Sequence, residues 1–156
     1  MRFREAVTGL IARRRDRERA RAGTAAVEFA LVAPMLFFLV LGMCQFGITV
    51  NQYLTLTNAV RSGARQLSMG RGDATPRTDA VNLIYASAPN LTQTSITITT
   101  SVNGTACATD AACETALAAG LPTTVAASYP CSLAFFGYNF ATAGCTLSSQ
   151  TTERVE

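Results

Sequence analysis

The sequence predicts an α+β protein in which a long N-terminal transmembrane helix continues into a small exported, disulfide-stapled α/β head. Three observations predict it. From Phe29 to Val60 there are 32 residues without a charged side chain, Arg crowds ahead of that run, and four of the five cysteines lie beyond it. A chain of 156 residues suits one compact domain with an appendage, since domains typically run to about 100–200 residues. Charged residues are 15% of the chain, against a usual share of about 25%. That balance disfavours disorder and a nucleic-acid-binding tail. The absence of His removes the commonest general base and the imidazole metal ligands, and with them Ser-His-Asp and Cys-His catalysis. No enzyme is expected.

The first 23 residues form a basic leader. All 13 basic residues are Arg, and residues 1–23 hold eight of them against Glu5, Asp16 and Glu18. The remainder holds five Arg against seven acids, so a formal charge of +3 combines a basic leader with a mildly acidic remainder. Asp16 and Glu18 among the arginines, and the apolar run that follows, favour a topological role over nucleic-acid recognition.

The transmembrane helix is assigned to residues 24–50. A bilayer core about 30 Å thick needs about 20 apolar residues in helix, because lipid offers backbone amides no partner. A buried core helix is the alternative, but the rest of the chain has too little apolar material to wrap a helix hydrophobic on every face. Eight Arg before the span, against Arg61, Arg65, Arg71 and Arg77 after it, place the N-terminus in the cytoplasm and the head outside. Pro34 lies within the span and is expected to kink it near 30–34.

Residues 51–70 are expected to continue the helix outside the membrane. Val50, Leu54, Thr57, Val60, Ala64 and Leu67 recur at helical spacing, and Gly70-Arg71-Gly72-Asp73 supplies the stop. The head is then 71–156. Thr75-Pro76 pairs an N-cap residue with Pro at the first helical position, followed by an apolar stripe of Ala80, Leu83, Ile84 and Ala88. Ser95 to Thr99 alternates apolar and hydroxyl residues as a half-buried strand does, and Asn103-Gly104 is a turn signal. Asp110 is expected to cap a short Ala-rich helix through Leu117. Two further strands are expected, near 123–129 and 145–152.

Cys107, Cys113, Cys131 and Cys145 fall in the exported part, where disulfides persist, while Cys44 sits in the span. Three pairings are possible; Cys107 with Cys113 and Cys131 with Cys145 close the shortest loops. A four-Cys zinc site is the competing reading, against which stand export and the absence of CxxC spacing. No metal or cofactor is expected.

The junction Gly23-Thr24-Ala25-Ala26-Val27-Glu28 ahead of a long apolar helix resembles a type IV prepilin leader. The longer string through Phe29-Ala30-Leu31-Val32-Ala33-Pro34 resembles the opening of the TadE-like family, minor pseudopilins of the tight-adherence (Tad/Flp) pilus machinery. Ala59-Val60-Arg61-Ser62-Gly63-Ala64-Arg65 is similar to that family's small-residue and Arg stretch. Val125 to Pro130 and Thr151 to Glu156 are more loosely similar to its later strands. One departure is Thr24, where the family has a more hydrophobic residue.

The resemblance implies a pilin-like fold and cleavage by a prepilin peptidase between Gly23 and Thr24. It also implies that Glu28, fifth in the mature chain, meets the new α-amino group of a neighbouring subunit or assembly factor. The implied partners are the membrane, the peptidase, other pilins or pseudopilins and the assembly platform, with no nucleic acid and no small-molecule substrate. An alternative function is a single-pass anchored receptor or adhesin with a ligand-binding head.

Asp73, Asp79, Asp110, Glu114 and Glu153 sit in no catalytic motif, and each has a simpler role as a cap, turn or surface charge. Arg71-Gly72-Asp73 spells a short adhesion tripeptide, but Gly72 is already accounted for by the helix stop. Asn90-Leu91-Thr92 and Asn103-Gly104-Thr105 fit a glycosylation pattern that only a eukaryotic secretory pathway would use.

Overall fold

A computed structural model of the chain describes residues 2–131, 134–135, 138–139 and 145–156, with side chains described for 26–131 and 145–156. Helix α1 spans Arg2–Met69, so helix begins well before the expected start near Thr24. Two compact units divide the chain, Met1–Cys44 and Gln45–Glu156, and α1 contributes to both.

In the first unit the described side chains are almost wholly apolar and almost wholly exposed. Phe29, Leu31, Met35 and Met43 are each at least 66% exposed, and an apolar surface of this kind marks a site of membrane or protein contact. Pro34 lies inside α1 without ending it.

In the second unit the last turns of α1 become part of a core. Leu56, Ala59, Val60, Ala64 and Leu67 are fully buried. Their spacing of three and four residues makes one helical stripe. Val60, Ala64 and Leu67 lie where the periodicity puts them, but Val50 and Leu54 are exposed. The buried stripe starts only at Leu56 because, among the described residues, nothing in this unit covers the turns before it. From Leu56 to Leu67, α1 thus shares the core of the head.

Helix α1 stops as expected. The Gly70 N–H donates to Leu67 O at 3.2 Å, and Asp73 N–H donates to Gly70 O at 3.2 Å. Gly72, at φ +83°, takes the left-handed position of this turn. Helix α2 follows at Pro76–Ser87 and buries Pro76, Ala80 and Ile84. Leu83, expected in the same stripe, is 37% exposed; the buried row runs strictly every four residues, and Leu83 falls beside it.

After a 3₁₀ turn at Gln93–Ser95 come β1 (Thr97–Val102) and β2 (Thr105–Ala106), joined at Asn103 (φ 49°) and Gly104 (φ 79°). Two successive positive φ values make the primed turn that suits strand twist. Helix α3 (Asp110–Ala116) leads to β3 (Pro122–Pro130), then the small hairpin β4 (Ala134–Phe135) and β5 (Tyr138–Asn139), then β6 (Thr146–Arg154). The main sheet is antiparallel, in the order β2-β1-β3-β6.

One face of that sheet is dry. Thr100, Val102, Thr123, Val125 and Ala127 are buried in the same core as α1 and α2. The buried Thr100 hydroxyl is satisfied by donating to Cys107 O. The other face carries Thr97, Thr99, Ser101, Thr124, Ala126, Ser128, Ser148, Gln150 and Thr152. Alternation with a period of two accounts for both faces.

Two disulfides staple the head, Cys107 to Cys113 and Cys131 to Cys145, with Cα separations of 5.0 and 5.5 Å. This is the short-loop pairing among the three that were possible. Cys44 is free and exposed.

Candidate functional site

Gly23 and Thr24 lie on the helical backbone of α1, outside the residues with described side chains. Glu28 is exposed, one turn into the described part of the helix. Among the described residues it makes no hydrogen bond or ion pair. It stands on a helix surface otherwise formed by exposed Val27, Phe29, Leu31 and Val32. One helical segment, Ala26–Met69, is long and apolar enough to cross a membrane, and its most apolar stretch is not buried at all. A carboxylate at the head of such a surface is costly to leave in hydrocarbon, so it selects a polar partner or the interface.

This surface offers apolar area on every side and one carboxylate near one end. Among the described residues, no group of three or more His, Cys, Asp or Glu could hold a metal ion. Cys107, Cys113, Cys131 and Cys145 are spent in disulfides.

At the other end of α1 the small residues have a packing role. A Cβ on Gly63 would run into the Ile84 side chain, 2.6 Å from Cδ1, and would lie 3.2 Å from the Ala80 carbonyl. Gly63 therefore lets α2 approach α1 at Ala80 and Ile84. Gly70 does the same for Pro76, whose Cβ would lie 2.8 Å away. Arg61 and Arg65 remain exposed on the outer side. The sequence held a signal for this contact, Ala59 and Gly63 spaced four apart beside Val60 and Ala64, but nothing local indicated what would approach.

The exposed sheet face carries two shallow hollows, of about 320 and about 260 Å³, lined by Thr, Ser, Ala and Gln side chains without a titratable group. A smaller hollow of about 110 Å³ lies by Arg77, Ile98 and Cys107. There the Arg77 Nε is buried without a hydrogen-bond partner among the described residues.

Asp110 does not cap its own helix. Thr109 is the N-cap of α3, its hydroxyl accepting from Ala112 N–H at 3.3 Å. Asp110 reaches across to α2 instead, taking the Thr78 N–H at 2.8 Å and the Thr78 hydroxyl at 2.6 Å. The Thr78 hydroxyl, then the Thr78 N–H, hold its carboxyl below the usual carboxylate range, with the Arg77 N–H and charge adding to the effect. Thr75, the N-cap of α2 by position, makes no side-chain cap and donates to Asp79 Oδ2 at 3.0 Å.

The family model described as TadE-like protein matches residues 23–65. The matched stretch runs from Gly23 through Glu28 and the apolar surface to the small residues that receive α2. The strands of the head lie beyond it, so the looser likeness of residues 125–130 and 151–156 is not part of the match. No curated protein and no solved structure matches the chain.

Proposed function

We propose, with the TadE-like match of residues 23–65 as the premise, that this chain is a minor pseudopilin of a tight-adherence pilus or a related secretion apparatus. It acts by packing its helix against lipid and then against other pilin helices, and it carries out no reaction. The observation that carries the reading is the coincidence of the match with an all-round exposed apolar helix headed by one carboxylate, Glu28. Such a helix has two stable environments, a bilayer and a bundle of similar helices.

On this reading the basic residues 1–23 hold the precursor with its N-terminus in the cytoplasm of a bacterial inner membrane, and a prepilin peptidase cuts between Gly23 and Thr24. The new α-amino group of a neighbouring subunit then meets Glu28. Pro34 bends the helix where it packs, and the head presents the surface that pilus partners recognise. The two disulfides suit an oxidising compartment outside the cytoplasm.

Intact-mass spectrometry of the full chain, coexpressed with an active prepilin peptidase, tests the proposal. The expected product begins at Thr24. An uncut chain, beside a control prepilin that is cut, overturns the processing step and with it the pseudopilin assignment. Retention of residues 1–23 in a protein that binds an extracellular ligand would favour the anchored receptor instead.

A further inference from the structure

Within the second unit α1 has two unlike faces. Leu56, Val60, Ala64 and Leu67 are buried in the core of the head. On the opposite side Asn51, Leu54, Asn58, Arg61, Arg65 and Met69 succeed one another at three or four residues, and all of them are exposed. At about 3.6 residues per turn they make one row, with the spacing along which parallel helices pack. Exposed Gly47 leads into it from the assigned span. Leu54 and Met69, each more than half exposed, bracket the two arginines, and Met and Arg are residues that interfaces favour.

The charge of this row has no counterpart on α1. Among the described residues the guanidinium groups of Arg61 and Arg65 make no ion pair or hydrogen bond. They stand four residues apart, an arrangement in which like charges repel. From Phe29 to Gly72 the sequence holds no acidic residue. A second copy anchored in the same membrane has its α1 parallel and at the same height. Packed on this row, it would set Arg61 against Arg61 and Arg65 against Arg65, with no carboxylate of α1 in reach. Lipid headgroups are distant as well. Arg61 lies about 16 Å of helix past residue 50, beyond the ~8 Å over which charges act at physiological salt.

We propose that this row docks an α-helix of a different membrane-anchored chain, one that carries carboxylates four residues apart at the height of Arg61 and Arg65. Four residues rise about 6 Å on either helix, so each arginine meets one carboxylate, and Leu54 and Met69 make apolar contact on either side. Charges along a helix seam set the choice of partner. Here the two arginines reject a second copy as well as accept the acidic helix. The proposal rests on the membrane-anchored pseudopilin reading above and names the kind of helix that α1 packs against.

Cross-linking of the full chain in membranes tests it, with Cys44→Ser and Asn58→Cys throughout and a second, differently tagged form carrying Arg61→Glu and Arg65→Glu as the acidic helix. A short bis-maleimide should link the arginine form to the glutamate form well beyond the twofold excess that random pairing gives, and either form alone should stay largely monomeric. Thr99→Cys in place of Asn58→Cys, on the exposed face of the sheet, should show no such preference. In cells that carry the native pilus, Arg61→Glu with Arg65→Glu should enter sheared filaments several-fold less than wild type. Arg61→Lys with Arg65→Lys should keep most of the incorporation, with both native disulfides intact in each variant. Should the double reversal lose the disulfides, Arg65→Glu alone serves instead. Mixed pairs at the random share, a dimer of the arginine form as abundant as the mixed one, or full incorporation of the reversed form overturns the proposal. An uncut precursor overturns the pseudopilin reading, whereas the cross-link, which needs neither cleavage nor a filament, decides this one.

Discussion

The carboxylate of Asp110, the first residue of α3, takes the backbone N–H of Thr78 at 2.8 Å and its hydroxyl at 2.6 Å, 32 residues earlier in the chain. Thr78 is in the first turn of α2, where N–H groups have no partner within the helix. The cap of α2 is therefore supplied by another helix, and it couples the placement of α2 to that of α3.

That link makes stability depend on pH. The native Asp110 carboxyl titrates below its ordinary range, so its contribution is fully present above the unfolded pKa and is lost as pH falls through the lower native value. Asp110→Asn should lower the melting temperature of the full chain in detergent at neutral pH. The gap from wild type should close as the medium is acidified below the usual carboxylate range. A gap that stays constant with pH would show that the charge is not what matters at this position.

Gly63 faces Ile84 and the Ala80 carbonyl with no room for a methyl group. Gly63→Ala should destabilise the head by about 1–3 kcal/mol, as overpacking typically does. Ile84→Ala, which opens space on the same contact, should cost about 2–5 kcal/mol alone. Together they should cost less than their sum, because each relieves the misfit of the other. Chemical denaturation of the four proteins checks this; strict additivity would mean that Gly63 and Ile84 do not share a contact.

The two disulfides close loops of different length, with sequence separations of 6 and 14. Loop-closure entropy assigns about 2 kcal/mol to the first and about 3 kcal/mol to the second. Removing Cys131 and Cys145 together should therefore cost about 1 kcal/mol more through the unfolded state. Cys107 and Cys113 both belong to the core cluster, which Cys131, though buried, and the half-buried Cys145 do not join, so replacing Cys107 and Cys113 with Ala should add a packing loss that narrows or reverses the order. Melting of each double Ala variant, against wild type with and without reductant, separates the two contributions.

If Glu28 is the polar contact of assembly, Glu28→Gln should insert into the membrane and be processed like wild type, yet enter pili poorly. Fractionation and immunodetection of sheared filaments measure both steps. Unchanged incorporation would remove the role assigned to the carboxylate.

Much of this was legible in the sequence. The long helix, its stop at Gly70 to Asp73, the turn at Asn103-Gly104, the strand alternation and the disulfide pairing all rest on local rules: periodicity, positive φ at Gly and Asn, and short loop closure. The stretch matched by the TadE-like model likewise carries its meaning in consecutive residues, from Gly23 to Arg65. Three things depended on the tertiary structure. The buried stripe of α1 begins at Leu56, because burial requires a covering partner that periodicity does not supply. Gly63 is a contact point, because α2 approaches it. Asp110 caps α2 although Thr109 was the nearer cap for α3, because a carboxylate goes to whichever unpaired N–H groups the fold brings near. The sequence by itself determined the long apolar helix, its stop and the longer strands, since those depend on neighbours along the chain. Which residues meet depends on neighbours in space, and only the tertiary structure decided it.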